Sequence, residues 1–68
     1  MNVVLNGTPR DLPDGATVAD AVSASGMPPL ARGVAVAVDR EVVPRSEWGD
    51  TALVDGQRIE VLEAVQGG

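Results

Sequence analysis

GVAVAVD, residues 33–39, decides how this chain folds. Val34, Val36 and Val38 alternate with Ala35 and Ala37, the period of two that belongs to a β-strand, whose successive side chains point to opposite faces. Apolar residues on both faces predict an interior strand. The valines suit contact with a helix, and the alanines leave the opposite face flat. Just downstream, EVV at 41–43 reads as a short strand stopped by Pro44, and RSEWGD at 45–50 as a tight turn or a single helical turn. Asp55-Gly56 marks another turn. RIEVLEA, 58–64, is the last strand, with Ile59 and Val61 facing inward and Arg58, Glu60 and Leu62 outward.

Upstream, NVVLN at 2–6 predicts a strand with Val3 and Leu5 on one face and Asn2, Val4 and Asn6 on the other. Asn6-Gly7 is a hairpin signal, because both central residues of a type I′ turn need positive φ. The returning strand is TPRDL, 8–12. Pro9 has no N–H to give to a ladder, which assigns this strand to a sheet edge. Pro13-Asp14-Gly15 then breaks the chain, and Thr17 is the expected N-cap of a helix of about nine residues, with Asp20 placed close to a capping box. Val18, Ala21, Val22 and Ser25 share one helical face. Gly26 is the expected C-cap, followed by Pro28 and Pro29. So short a helix must be held by packing on a sheet. The order β-β-α-β-β-β predicts an α+β chain of the β-grasp type: a mixed sheet of four to five strands with one helix packed on one face.

Sixty-eight residues allow one small domain with a thin core. Cysteine and histidine are absent, which removes disulfides, thiolate metal sites and the usual neutral-pH general base. A metal site is accordingly not expected, and a stand-alone enzyme is disfavoured. The net charge is −5, from ten acidic residues and five arginines. That balance argues against nucleic acid and anionic membranes as partners and suits docking on a basic protein surface. MNVVLNG has neither a basic segment nor a long apolar run, so no signal peptide is expected and the expected location is cytoplasmic.

The chain ends in EAVQGG, residues 63–68. Two glycines at an end can be a frayed terminus or the working part of the molecule. The longer stretches AVAVDREVVPRSEW and DGQRIEVLEAVQGG sharpen that choice. With Gly15-Ala16-Thr17-Val18 opening the helix and Val43-Pro44-Arg45 followed by Trp48, they resemble the ThiS family, the sulfur carriers of thiamine biosynthesis. The resemblance runs along the whole chain, although the MPPLARG segment at 27–33 matches no signature. It implies a ubiquitin-like β-grasp body over residues 1–64 and a flexible tail over 65–68. It also implies that a ThiF-like enzyme adenylates Gly68 with ATP and Mg, that a sulfur donor such as a cysteine desulfurase turns it into a thiocarboxylate (a 1-thioglycine), and that a ThiG-like thiazole synthase takes the sulfur. No cofactor would be bound by the carrier itself. Alternatives with the same tail are a MoaD-like carrier for molybdopterin or another thiolated product, and a ubiquitin-like protein modifier; a plain interaction module with an inert tail is a further one.

The residue types suit the implied chemistry. A carboxylate is a poor electrophile, and AMP transfer would make it a mixed anhydride that a sulfur nucleophile can open. Gly67 and Gly68 have no Cβ to obstruct a narrow channel. Extended, Val65, Gln66, Gly67 and Gly68 reach roughly 13–14 Å. Leu62 on the outward face of the last strand, beside Ala35 and Ala37 and with Val4, reads either as a scattered surface residue or as a partner-docking patch. Trp48 reads as a core lid over the sheet edge and Arg45 as a surface or turn residue. Asp55, Glu60 and Glu63 read as a solvated face able to steer a basic partner.

Overall fold

The computed structural model describes residues 1–27 and 33–63. The alternating N-terminal residues form β1 (Asn2–Leu5) and β2 (Thr8–Asp11), paired antiparallel from Asn2 opposite Asp11 to Leu5 opposite Thr8. Asn6 and Gly7 join them with φ of 49° and 80°, as a type I′ turn requires. Next come α1 (Val18–Ala24), β3 (Val34–Val38), β4 (Glu41–Val43), a 3₁₀ turn over Arg45–Glu47, and β5 (Arg58–Glu63). β4 has the bounds its pattern suggested, the other strands and the helix are a residue or two shorter, and the turn read over 45–50 is helical only at Arg45–Glu47. The segment read as 58–64 is a strand as far as Glu63, and residue 64 lies outside the described residues.

The five strands form one sheet in the order β2-β1-β5-β3-β4. Pro9 therefore does lie on an edge strand. β3 is interior, between β5 and β4. β1 runs parallel to β5, and the other pairs are antiparallel. The chain that leaves the edge strand β2 thus returns to the middle of the sheet as β5, beside β1, after the helix has crossed one face.

The helix start is satisfied at every backbone donor. The Thr17 N–H donates to Asp20 Oδ2 at 2.8 Å, and the Asp20 N–H donates back to Thr17 Oγ1 at 3.4 Å, completing the capping box. The Val18 and Ala19 N–H groups donate to the Thr51 and Trp48 carbonyls at 3.0 and 3.1 Å. Free donors at a helix start are costly when buried, so residues 48–51 help anchor the helix as well as connecting β4 to β5. At the other end Gly26 follows the Ser25 cap at φ 85°, a left-handed geometry that glycine adopts without strain.

Val18, Ala21 and Val22 on α1 meet Val3 and Leu5 of β1, Val36 and Val38 of β3, and Ile59 and Val61 of β5, with Leu53 and Trp48 closing the margin. Each fully buried Val, Leu or Ile side chain stabilises the fold by roughly 1.5–3 kcal/mol. Trp48 is buried and its indole N–H donates to the Val43 carbonyl at 2.9 Å, the lid at the sheet margin that the pattern suggested. The Arg45 guanidinium stands 5.1 Å from its ring centroid, within cation–π range.

Candidate functional site

The helix covers one face of the sheet and leaves the other open. Strand register sets which residues meet there. Ala35 on β3 lies opposite Leu62 on β5. One step along, Ala37 lies between Glu60 on β5 and Val42 on β4. At the far end Val4 lies between Pro9 on β2 and Arg58 on β5. Leu62 is 60% exposed and Val42 73% exposed. Ala35 is exposed, while Ala37 and Val4 are half-buried. The structure therefore makes Ala35 and Leu62 direct neighbours, sets Ala37 one row away, and separates Val4 from them by the Arg58 and Glu60 side of β5.

Val42 is the member of this face that the sequence reading passed over. Its signal was available. In a strand Glu41-Val42-Val43, closed by a half-buried Val43, Val42 must point the other way.

Charges frame the apolar row. Asp39, Arg40, Arg58 and Glu60 border one open depression, and Asn6, Gly7, Arg58, Glu60 and Leu62 border a second. The first is shaped by the β3–β4 hairpin, where Asp39 and Arg40 have φ of 49° and 72°. Asp39 holds the turn against β5: its N–H donates to the Arg58 carbonyl at 2.8 Å, and its Oδ1 accepts from the Arg58 N–H at 3.0 Å. Among the described residues no polar or charged side chain is buried, and no cluster of His, Cys, Asp or Glu is arranged to hold a metal ion. What the open face offers is apolar contact and exposed charge, the materials of a docking surface.

Val65, Gln66, Gly67 and Gly68, read above as the tail, lie outside the described residues, as do residues 28–32. The last described residue of β5, Glu63, is five positions before Gly68. No helix among the described residues is long and apolar enough to cross a membrane.

Three comparisons bear on this arrangement. The sequence profile of the ThiS family matches residues 3–68. The crystal structure of the thiamine biosynthesis protein ThiS from Geobacter metallireducens superposes with a TM-score of 0.80 at 30% identity, over 100% of both chains. The solution structure of a thiamine biosynthesis protein from the same organism gives 0.77 at 31% identity, over 100% of this chain and 88% of that one. A search of curated proteins by sequence finds no match. A profile that reaches from the first strand to the terminal glycines, on a sheet that superposes from end to end, makes this chain a member of the ThiS family with the ubiquitin-like β-grasp fold.

Proposed function

We propose that the chain is a sulfur carrier of thiamine biosynthesis whose Gly68 carboxylate is the reacting group. The observation that carries this reading is the family match, which extends through Gly67 and Gly68. The β-grasp body and the thiamine biosynthesis relatives support it.

In the first step a Gly68 carboxylate oxygen attacks the α-phosphorus of Mg-ATP on a ThiF-like adenylating enzyme. A C–O–P linkage forms, pyrophosphate leaves, and the carbonyl carbon becomes electrophilic. A sulfur nucleophile at the hydrosulfide level then adds to that carbon and AMP departs with the linking oxygen. One proton is released, and a thiocarboxylate remains on Gly68. A ThiG-like thiazole synthase would accept the sulfur, and a cysteine desulfurase is the class of protein able to supply it. The partners provide the metal-nucleotide site and the charge stabilisation that phosphoryl chemistry needs. The carrier contributes an unobstructed carboxylate and a surface by which it is held. Ala35, Ala37, Val42 and Leu62, with Val4 at the margin, form that surface in this reading. Burial of the apolar row supplies affinity, and the net charge of −5 on the chain favours a basic partner.

The test is the intact mass of the protein after incubation with an adenylating enzyme, Mg-ATP and sulfide. Replacement of one oxygen by sulfur, lost when Gly68 is deleted, is the expected result. An unchanged mass in the presence of an enzyme competent for its own carrier would overturn the proposal.

A further inference from the structure

Asn6 makes a contact that its role in the turn does not require. Its Oδ1 accepts the Val61 N–H at 2.7 Å, and its Nδ2 donates to the Val61 carbonyl at 3.2 Å. The donor at Val61 settles which carboxamide atom faces it. The geometry follows from the topology. β1 pairs with β5 through the Val4 N–H to the Gln57 carbonyl and the Asn6 N–H to the Ile59 carbonyl, both at 2.9 Å. β1 then turns away at Asn6-Gly7, while β5 continues to Glu63. The next backbone groups on that edge of β5 are those of Val61, two residues on, because successive residues alternate their hydrogen-bonding direction. A primary carboxamide presents a carbonyl and an N–H side by side, as a peptide does. The Asn6 side chain therefore continues the ladder after its own backbone has left it.

No other side chain meets both demands. The position has φ 49°, a left-handed conformation that glycine and asparagine accept most readily. Glycine would keep the turn and lose the carboxamide. Aspartate would keep the acceptor but set a carboxylate oxygen against the Val61 carbonyl. The clamp acts on the residue just before Leu62 and seven positions before Gly68.

We propose that Asn6 is a positioning residue for the carrier reaction: by fixing the β1-side edge of β5 at Val61, it sets the direction in which the chain beyond Glu63 is presented to a partner's active site. This rests on the sulfur-carrier reading. The open face is held separately, since β3 pairs with β5 over five residues from Val34 opposite Glu63 to Val38 opposite Ile59. Loss of the clamp should thus alter delivery of Gly68 while leaving docking in place.

The experiment compares the wild-type chain with Asn6→Gly and Asn6→Asp in thiocarboxylate formation by an adenylating enzyme, well below the unfolding temperature, with amide hydrogen exchange at Val61 followed in parallel. Exchange at Val61 should accelerate in Asn6→Gly. The kcat of both variants should fall by up to about a hundredfold, as a 1 Å misplacement of a reacting group costs, with KM unchanged. Asn6→Asp carries the test if Asn6→Gly fails to fold. Faster exchange or a lower Tm with kcat intact would mean that the clamp serves stability alone, and would overturn the proposal. Wild-type protein that gains no sulfur sinks the carrier reading and this inference together. Wild type and variants that react equally sink this inference only.

Discussion

The two faces of the sheet are built from the same strands and nearly the same residue types, yet they have opposite fates. Val36 and Val38 on β3 and Ile59 and Val61 on β5 are buried under α1. Their immediate neighbours Ala35, Ala37 and Leu62 share those strands and face away from the helix, and Leu62 is 60% exposed. One residue of displacement along a strand separates a core side chain from an exposed one. An apolar side chain on the open face adds little to folding, so it is available for contact with another protein. Exposed apolar residues are ordinary when scattered, but Leu62 opposite Ala35, with Val42 opposite Ala37, is a contiguous arrangement across three strands.

Substitutions that treat the two faces alike should expose this difference. Ile59→Ala, at a side chain with no exposed surface, should cost roughly 3 kcal/mol of stability by the loss of burial and the cavity left behind. Chemical denaturation would show it, and a loss as small as that of a surface substitution would mean that the core is not centred on β5. Leu62→Asp should leave the fold within about 1 kcal/mol of wild type. It should raise the KM for an adenylating enzyme about tenfold, the cost of removing an interface anchor. An unchanged KM would remove Leu62 from the docking surface. The smallest effect is expected at the margin between the faces. Arg40 lies at φ 72° in the β3–β4 turn, a region where a Cβ is strained. Arg40→Gly should therefore raise the stability by about 0.5–1 kcal/mol, less whatever freedom glycine adds to the unfolded chain. A lower Tm would show that the Arg40 side chain contributes more than its backbone conformation costs.

Much of this was legible along the chain, because the signals were local. The alternation of GVAVAVD, the Asn6-Gly7 turn, the Thr17 cap with Asp20, and Pro9 on an edge all depend on residues within a few positions of one another. Trp48 was readable as a lid for the same reason, since its hydrogen-bond acceptor Val43 is only five residues away. The contacts that escaped reading join distant segments. Val18 and Ala19 donate to the carbonyls of Thr51 and Trp48, and residues 51–54, TALV, show no period that would announce these contacts. The Asn6 carboxamide reaches Val61 across 55 positions, while locally Asn6 reads as nothing more than a turn residue. Val42 is a local exception: it lies five residues from its partner Ala37, and the alternation of Glu41-Val42-Val43 is enough to place it on the open face.

By itself the sequence determined the elements, their order and the faces that β1, β3 and β5 bury, since periodicity, caps and turn chemistry act within a few residues. Through its length-wide resemblance it also pointed to the family and to the terminal glycines. Strand order, the parallel return of β5 beside β1, the grouping of Ala35, Ala37, Val42 and Leu62, and the clamp on Val61 were decided only in the tertiary structure. These depend on which edges meet when the helix folds across the sheet, and no local pattern encodes a partner fifty residues away.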